Sequence, residues 1–205
     1  MQQDNSTITN KKILLIGGTQ GVGKQVALQL LENKVSFRLA CRDVAKASKV
    51  FNHPLFSTNV EVVEADITNP ETYATIVQGI NYVICAVSAS SGWTLASKVS
   101  PKDVDYIATV QFARYCHVSH VERFLLVSSC KVTKAVHPVK LLLDGLFGRI
   151  LHWKYKAENE IRALYSINDT QFYTIIRPSG LTDREEDNIS VVFDQGDNGG
   201  PSKVG

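Results

Sequence analysis

Short apolar runs alternate along this chain with longer stretches in which apolar residues recur every three or four positions. The runs are Ile13–Ile16, Val35–Ala40, Val60–Glu64, Tyr82–Val87, Arg123–Val127 and Tyr173–Ile176. Each is rich in β-branched or other apolar residues and has the length of a strand. Helical spacing fills the intervals at Val22–Glu32, Asp43–Val50, Pro70–Gln78, about Pro101 to His117, and Leu151–Leu164. Asp43 and Asn69 stand where helix caps belong, Pro70 at a first helical position, and Pro178 where the sixth strand must stop. Loops are expected around His53-Pro54 and over Ser88–Ser91 with Gly92.

Uninterrupted strand–helix alternation with short apolar strands predicts an α/β fold, a parallel sheet covered by helices on both faces. Right-handed crossovers leave few topologies, and the expected one is the doubly wound, Rossmann-type order 3-2-1-4-5-6. Residues 1–10 are polar and read as a disordered tail, and residues 11–180 as the sheet domain. Residues 181–205, rich in Asp, Asn, Gly and Glu around an apolar island at Ile189–Phe193, read as a segment of a small C-terminal lobe.

Composition narrows the function classes. With 205 residues and a hydrophobic share of 44%, the chain has the material for one domain with a substantial core. Lys and Arg number 22 against 20 Asp and Glu, for a net charge of +2, which gives no general attraction to nucleic acid. Cys41, Cys85, Cys116 and Cys130 are widely spaced and form no C-x-x-C pair, so reduced thiols and a cytoplasmic location are expected. Met1–Asn10 lacks the features of a secretory signal, and no uncharged stretch approaches the ~18 apolar residues of a membrane span.

The chemistry concentrates at the ends of the expected strands. ILLIGGTQGVG runs a buried strand into a glycine-rich turn (Gly17, Gly18, Thr19, Gln20, Gly21, Val22, Gly23) that opens a helix. Such a turn is either an ordinary tight turn or a cradle of backbone N–H groups for a dinucleotide phosphate, and the strand–turn–helix context favours the second. Arg42 follows the second strand, nineteen positions after Gly23, where a dinucleotide fold reads the ribose 2′ position. A guanidinium there forks onto a 2′-phosphate and favours NADP(H) over NAD(H), unless it is only a solvated partner of Asp43. Asp66, followed by Ile67 after the third strand, either accepts from an adenine amino group or caps the turn before Asn69-Pro70. Ala86, Val87 and Ser88 end the fourth strand with small residues that permit close approach to a cofactor. Ser128, Ser129 and Cys130 end the fifth strand, and Arg177, Pro178 and Ser179 the sixth. Lys154 shares a helical face with Ile150, Ala157, Ile161 and Leu164, so its ammonium must snorkel outward or find a partner such as a cofactor ribose. His117 and His120 lie three apart with no further ligands to complete a metal site.

The ordered motifs GGTQGVG, ACRD, EADITNP, VDYIATVQFARYCHVSHVERFLLVSS, WKYKAENEIRAL and YTIIRPSGLTD resemble an atypical short-chain dehydrogenase/reductase of the NmrA-like type over about Ile13–Asp183. The glycine spacing is nearer the common short-chain form, because Lys24 stands where atypical members place a last glycine. The resemblance implies that Arg42 meets the 2′-phosphate, Asp66 the adenine and Pro178 the nicotinamide. It further implies that Ser129 and Lys154 are the active-site serine and lysine. The family's reductases place a proton-donating Tyr four residues before the lysine, and here that position is Ile150. A hydrocarbon donates no proton, and Tyr155 points about 100° away around the helix. Two functions follow from the resemblance: an NADPH-dependent reductase of a small carbonyl, quinone or flavin-like acceptor, or a non-catalytic NADP(H) sensor or assembly factor with a protein partner. Val139–Leu151 is then a lid, a partner surface or a packed connector. Relatives continue beyond the point where this sequence stops, so the substrate lobe is expected to be minimal or incomplete.

Overall fold

The structure, a computed structural model, describes residues 11–89, 99–133, 145, 148–167 and 170–178, together with the backbone of 180–181 and 203–204. The expected tail, most of 134–149 and most of the C-terminal segment lie outside the described residues.

Six strands form one parallel sheet in the order β3-β2-β1-β4-β5-β6. They are β1 (Ile13–Ile16), β2 (Phe37–Cys41), β3 (Val60–Glu64), β4 (Tyr82–Cys85), β5 (Arg123–Val127) and β6 (Phe172–Ile176). The helices are α1 (Gly21–Glu32), α2 (Val44–Val50), α3 (Phe56–Asn59), α4 (Tyr73–Val77), α5 (Thr109–Val118) and α6 (Ile150–Tyr165). Gly180–Leu181 and Lys203–Val204 make a separate two-stranded parallel pair. The strand order is the expected one, and β1, β3 and β5 have the expected bounds.

Apolar burial fixes the register. Leu14 packs with Phe112, Phe124 and Ile161 on one face of the sheet, and Leu15 with Leu31 and Leu39 on the other. Leu14, Leu15, Leu31 and Leu39 are fully buried, and each such leucine contributes roughly 1.5–3 kcal/mol relative to exposure. Consecutive residues of β1 thus serve two different helix layers, which explains why the strand reads as an unbroken apolar run.

Local chemistry sets the element ends. Asp43 caps α2 by accepting from the Lys46 N–H at 2.8 Å, and Asn69 caps the next turn by accepting from the Glu71 N–H at 3.2 Å. That second segment is not one helix. Pro70–Thr72 is a 3₁₀ turn and α4 follows it, ending just before Gly79 (φ 71°). The expected helix from Pro101 likewise divides into a π-helical segment, Lys102–Ala108, and α5. Short α3 lies in what the sequence marks only as a polar loop. No described helix is long and apolar enough to cross a membrane.

Candidate functional site

The reversal of strand order between β1 and β4 opens a crevice at the carboxyl ends of these strands, where open parallel sheets take their ligands. Its floor is the turn from β1 into α1. Gly17 adopts φ +85°, and a side chain there would meet the Ala86 carbonyl carbon at 2.7 Å and the Val87 nitrogen at 2.8 Å. A side chain at Gly23 would collide with the Gly17 carbonyl oxygen, so α1 starts against the end of β1 only because Gly23 lacks Cβ, and the turn lies against the chain after β4 only because Gly17 does. Gly21, by contrast, faces open space. Gln20 supplies no side-chain cap to α1, and no acid occupies its first turn. The helix therefore presents backbone donors and the positive end of its dipole to the crevice without an internal acceptor, which suits an anion.

Arg42 lies one residue beyond β2, exposed, with no hydrogen bond or ion pair within the described residues. The Asp43 carboxylate caps α2 through Oδ1 and makes no ion pair with Arg42 within the described residues. Asp66 is half-buried, and its Oδ1 accepts from both the Thr68 N–H and the Thr68 hydroxyl at 2.8 Å. One carboxylate oxygen thus performs the turn-capping role foreseen for it. Ile67 is a core residue whose carbonyl accepts from the Tyr73 hydroxyl. Thr19 and Val22 are half-buried beside the glycines, and Ala86 touches the space a Gly23 side chain would fill.

The far side of the crevice is built from β5, β6 and α6. Backbone pairing continues past the strands: Ser128 N–H donates to the Ile176 carbonyl at 2.7 Å and Cys130 N–H to the Pro178 carbonyl at 2.9 Å. Ser129 and Pro178 are therefore brought side by side. The half-buried Ser129 hydroxyl forms no hydrogen bond within the described residues, and the buried Ser128 Oγ also lacks a partner there. Ser179 lies outside the described residues.

Lys154 finds a partner within the protein. Its Nζ lies 2.8 Å from Asp105 Oδ1, and the Asp105 side chain is wholly buried. Oδ1 also accepts from the Ser88 hydroxyl and Oδ2 from the Ala89 N–H, both at 2.9 Å. Asp105 is missed by the sequence pattern, although it lies one turn before Thr109-Val110 and Phe112 on a helix expected to pack inward, where an acid is unusual. Glu158 is a second such residue. Fully buried, it accepts from Arg177 and, at 2.8 Å, from Arg162. Four residues after Lys154, it lies beside the apolar face rather than opposite it. Ile150 opens α6 at the position where a tyrosine would stand, and Tyr155 points outward, 37% exposed.

A family model described as NAD(P)H-binding matches residues 17–204. An uncharacterised chloroplastic protein of Arabidopsis thaliana is 33% identical over 86% of this chain and 61% of its own length. The photosystem II assembly factor Ycf39 of Trieres chinensis is 29% identical over 58% of this chain and 35% of its own. Among solved structures, the oxidoreductase ylbE of Lactococcus lactis superposes with a TM-score of 0.62 at 25% identity, covering 85% of this chain and 71% of that one. The chain spans less than two thirds of these two sequence relatives. With its glycine turn, its strand order and this match, the chain belongs to the NAD(P)H-binding family.

Proposed function

We propose that the chain binds NADP(H) in preference to NAD(H), and that it reduces a small carbonyl, quinone or flavin-like acceptor. The observation that carries the cofactor choice is Arg42. It is an exposed guanidinium one residue past β2 with no hydrogen bond or ion pair within the described residues, and Asp43 beside it caps α2 instead of pairing with it. In this reading the α1 N-terminus at Gly17–Gly23 would hold the pyrophosphate, Arg42 the 2′-phosphate and Asp66 the adenine. Ala86–Ser88, Lys154, Pro178 and Ser179 flank the ribose and nicotinamide. The bound cofactor supplies a hydride. Ser129 offers its hydroxyl to the acceptor, and Lys154 holds the ribose. With Ile150 in place of an acid, protons come from water or from the acceptor itself.

A non-catalytic sensor or assembly factor is the second reading, and two observations favour it. Ile150 removes the usual acid, and Lys154 is already neutralised by Asp105. The relative named as a photosystem II assembly factor agrees with it. The cytoplasmic location expected from composition is part of the proposal, although another relative is named as chloroplastic. The two readings separate in one screen, NADPH oxidation in the presence of quinones, flavins and aldehydes. Turnover that disappears in Ser129→Ala supports the reductase. Tight NADPH binding without turnover supports the sensor.

A further inference from the structure

Asp105 joins three parts of the site. It lies in the π-helical segment before α5, a geometry that recurs at functional positions. Its carboxylate holds Lys154 of α6 at 2.8 Å, and the Ser88 hydroxyl and Ala89 N–H of the loop after β4 at 2.9 Å. The Asp105 side chain is fully buried and that of Lys154 is 11% exposed, so water screens neither charge well. Both side chains are held at the end of the crevice assigned above to the nicotinamide, and this inference rests on that assignment.

We propose that the Asp105–Lys154 pair sets the relative affinity for oxidised and reduced cofactor. The two forms differ in charge at one place: the nicotinamide ring is cationic when oxidised and neutral when reduced. A lone buried ammonium at this end would repel the oxidised ring and leave the reduced one untouched. With Asp105 in contact, the local charge sums to zero and the oxidised form is tolerated. The aspartate is thus a positioning and charge-balancing residue. It fixes Lys154 and the Ser88-Ala89 loop in one arrangement and cancels the field that would otherwise favour NADPH.

The test is a direct titration of the purified chain with NADP⁺ and with NADPH, reading the ratio of the two dissociation constants. Asp105→Asn leaves the ammonium unbalanced, so the ratio should move toward NADPH by on the order of tenfold. Lys154→Met leaves a carboxylate still held by Ser88 and Ala89, so the ratio should move the opposite way. The double substitution should return it close to the wild-type value. Simple loss of structure weakens both forms alike and cannot reverse sign between the two variants. If Asp105→Asn does not fold, the shift in Lys154→Met decides the matter alone. A ratio within about twofold of wild type, or the same direction in both variants, overturns the inference while leaving cofactor binding intact. Failure of the wild type to bind either form overturns the proposed function itself.

Discussion

The Glu158 carboxylate, with no exposed side-chain surface, accepts a forked pair of hydrogen bonds from Arg177, the residue immediately before Pro178. α6 is thereby tied to the end of β6, where the chain turns toward the crevice. Both oxygens are used, Oε1 by Arg177 Nε at 3.0 Å and Oε2 by Arg177 and by Arg162. Such a buried charge is stable only while its partners remain.

Replacing Glu158 with Ala removes one side of this junction and takes the carboxylate away from Arg177, whose side chain is 11% exposed. The expected loss is about 3–5 kcal/mol of folding stability, read from urea unfolding. Arg162→Ala, which removes the more exposed of the two guanidinium groups, should cost about 1 kcal/mol or less. Equal losses in the two variants would mean that the Arg177 contact carries no special weight.

The glycine turn makes a graded prediction. Gly23→Ala forces a methyl group onto the Gly17 carbonyl oxygen and should either unfold the start of α1 or abolish cofactor binding. Gly21→Ala meets open space and only strains a backbone at φ +52°, at a cost of roughly 1–2 kcal/mol. Thermal melts and NADPH titration of the two variants should rank them in that order.

The thiols report on the core. Burial pushes the Cys85 thiol up to about 12 and raises Cys116 as well. Cys130 is half-buried at the rim of the crevice. In native protein a thiol reagent should therefore modify Cys130 first, with Cys85 and Cys116 reacting only on unfolding. Linkage gives a pH dependence with a definite sign. A thiol whose folded pKa is raised contributes stability that is complete below its unfolded pKa, about 8.5, and is lost as pH climbs toward the folded value. The melting temperature should fall between pH 9 and 11 more steeply for the wild type than for Cys85→Ala.

Much of this architecture was legible in the residues. Ile13–Ile16 faces helices on both sides, so its unbroken apolar run declared a buried parallel strand, and Asp43 and Asn69 declared the caps they form. The crevice was legible as strand ends, because a parallel sheet puts them all on one edge. What escaped were contacts between distant segments. Asp105 and Lys154 are 49 positions apart and Glu158 and Arg177 19 apart, and no local pattern says that two buried charges will meet. The break of the helix after Pro101 into a π-helical segment was hidden for a similar reason, since Thr109 closes it through a hydroxyl bond to the Val104 carbonyl that helical periodicity does not encode. Lys154 shows the consequence: its place on an apolar face was evident, but its partner was not.

The proposed preference for a 2′-phosphorylated dinucleotide rests on the turn at Gly17–Gly23 together with Arg42. The direct measurement is calorimetric titration of the wild type and of Arg42→Glu with NADPH and NADH. Loss of a charge-assisted contact worth about 1.5–3 kcal/mol should weaken NADPH by roughly 10- to 100-fold and leave NADH nearly unchanged. Equal losses for the two cofactors, or wild-type protein that prefers NADH, would contradict the account.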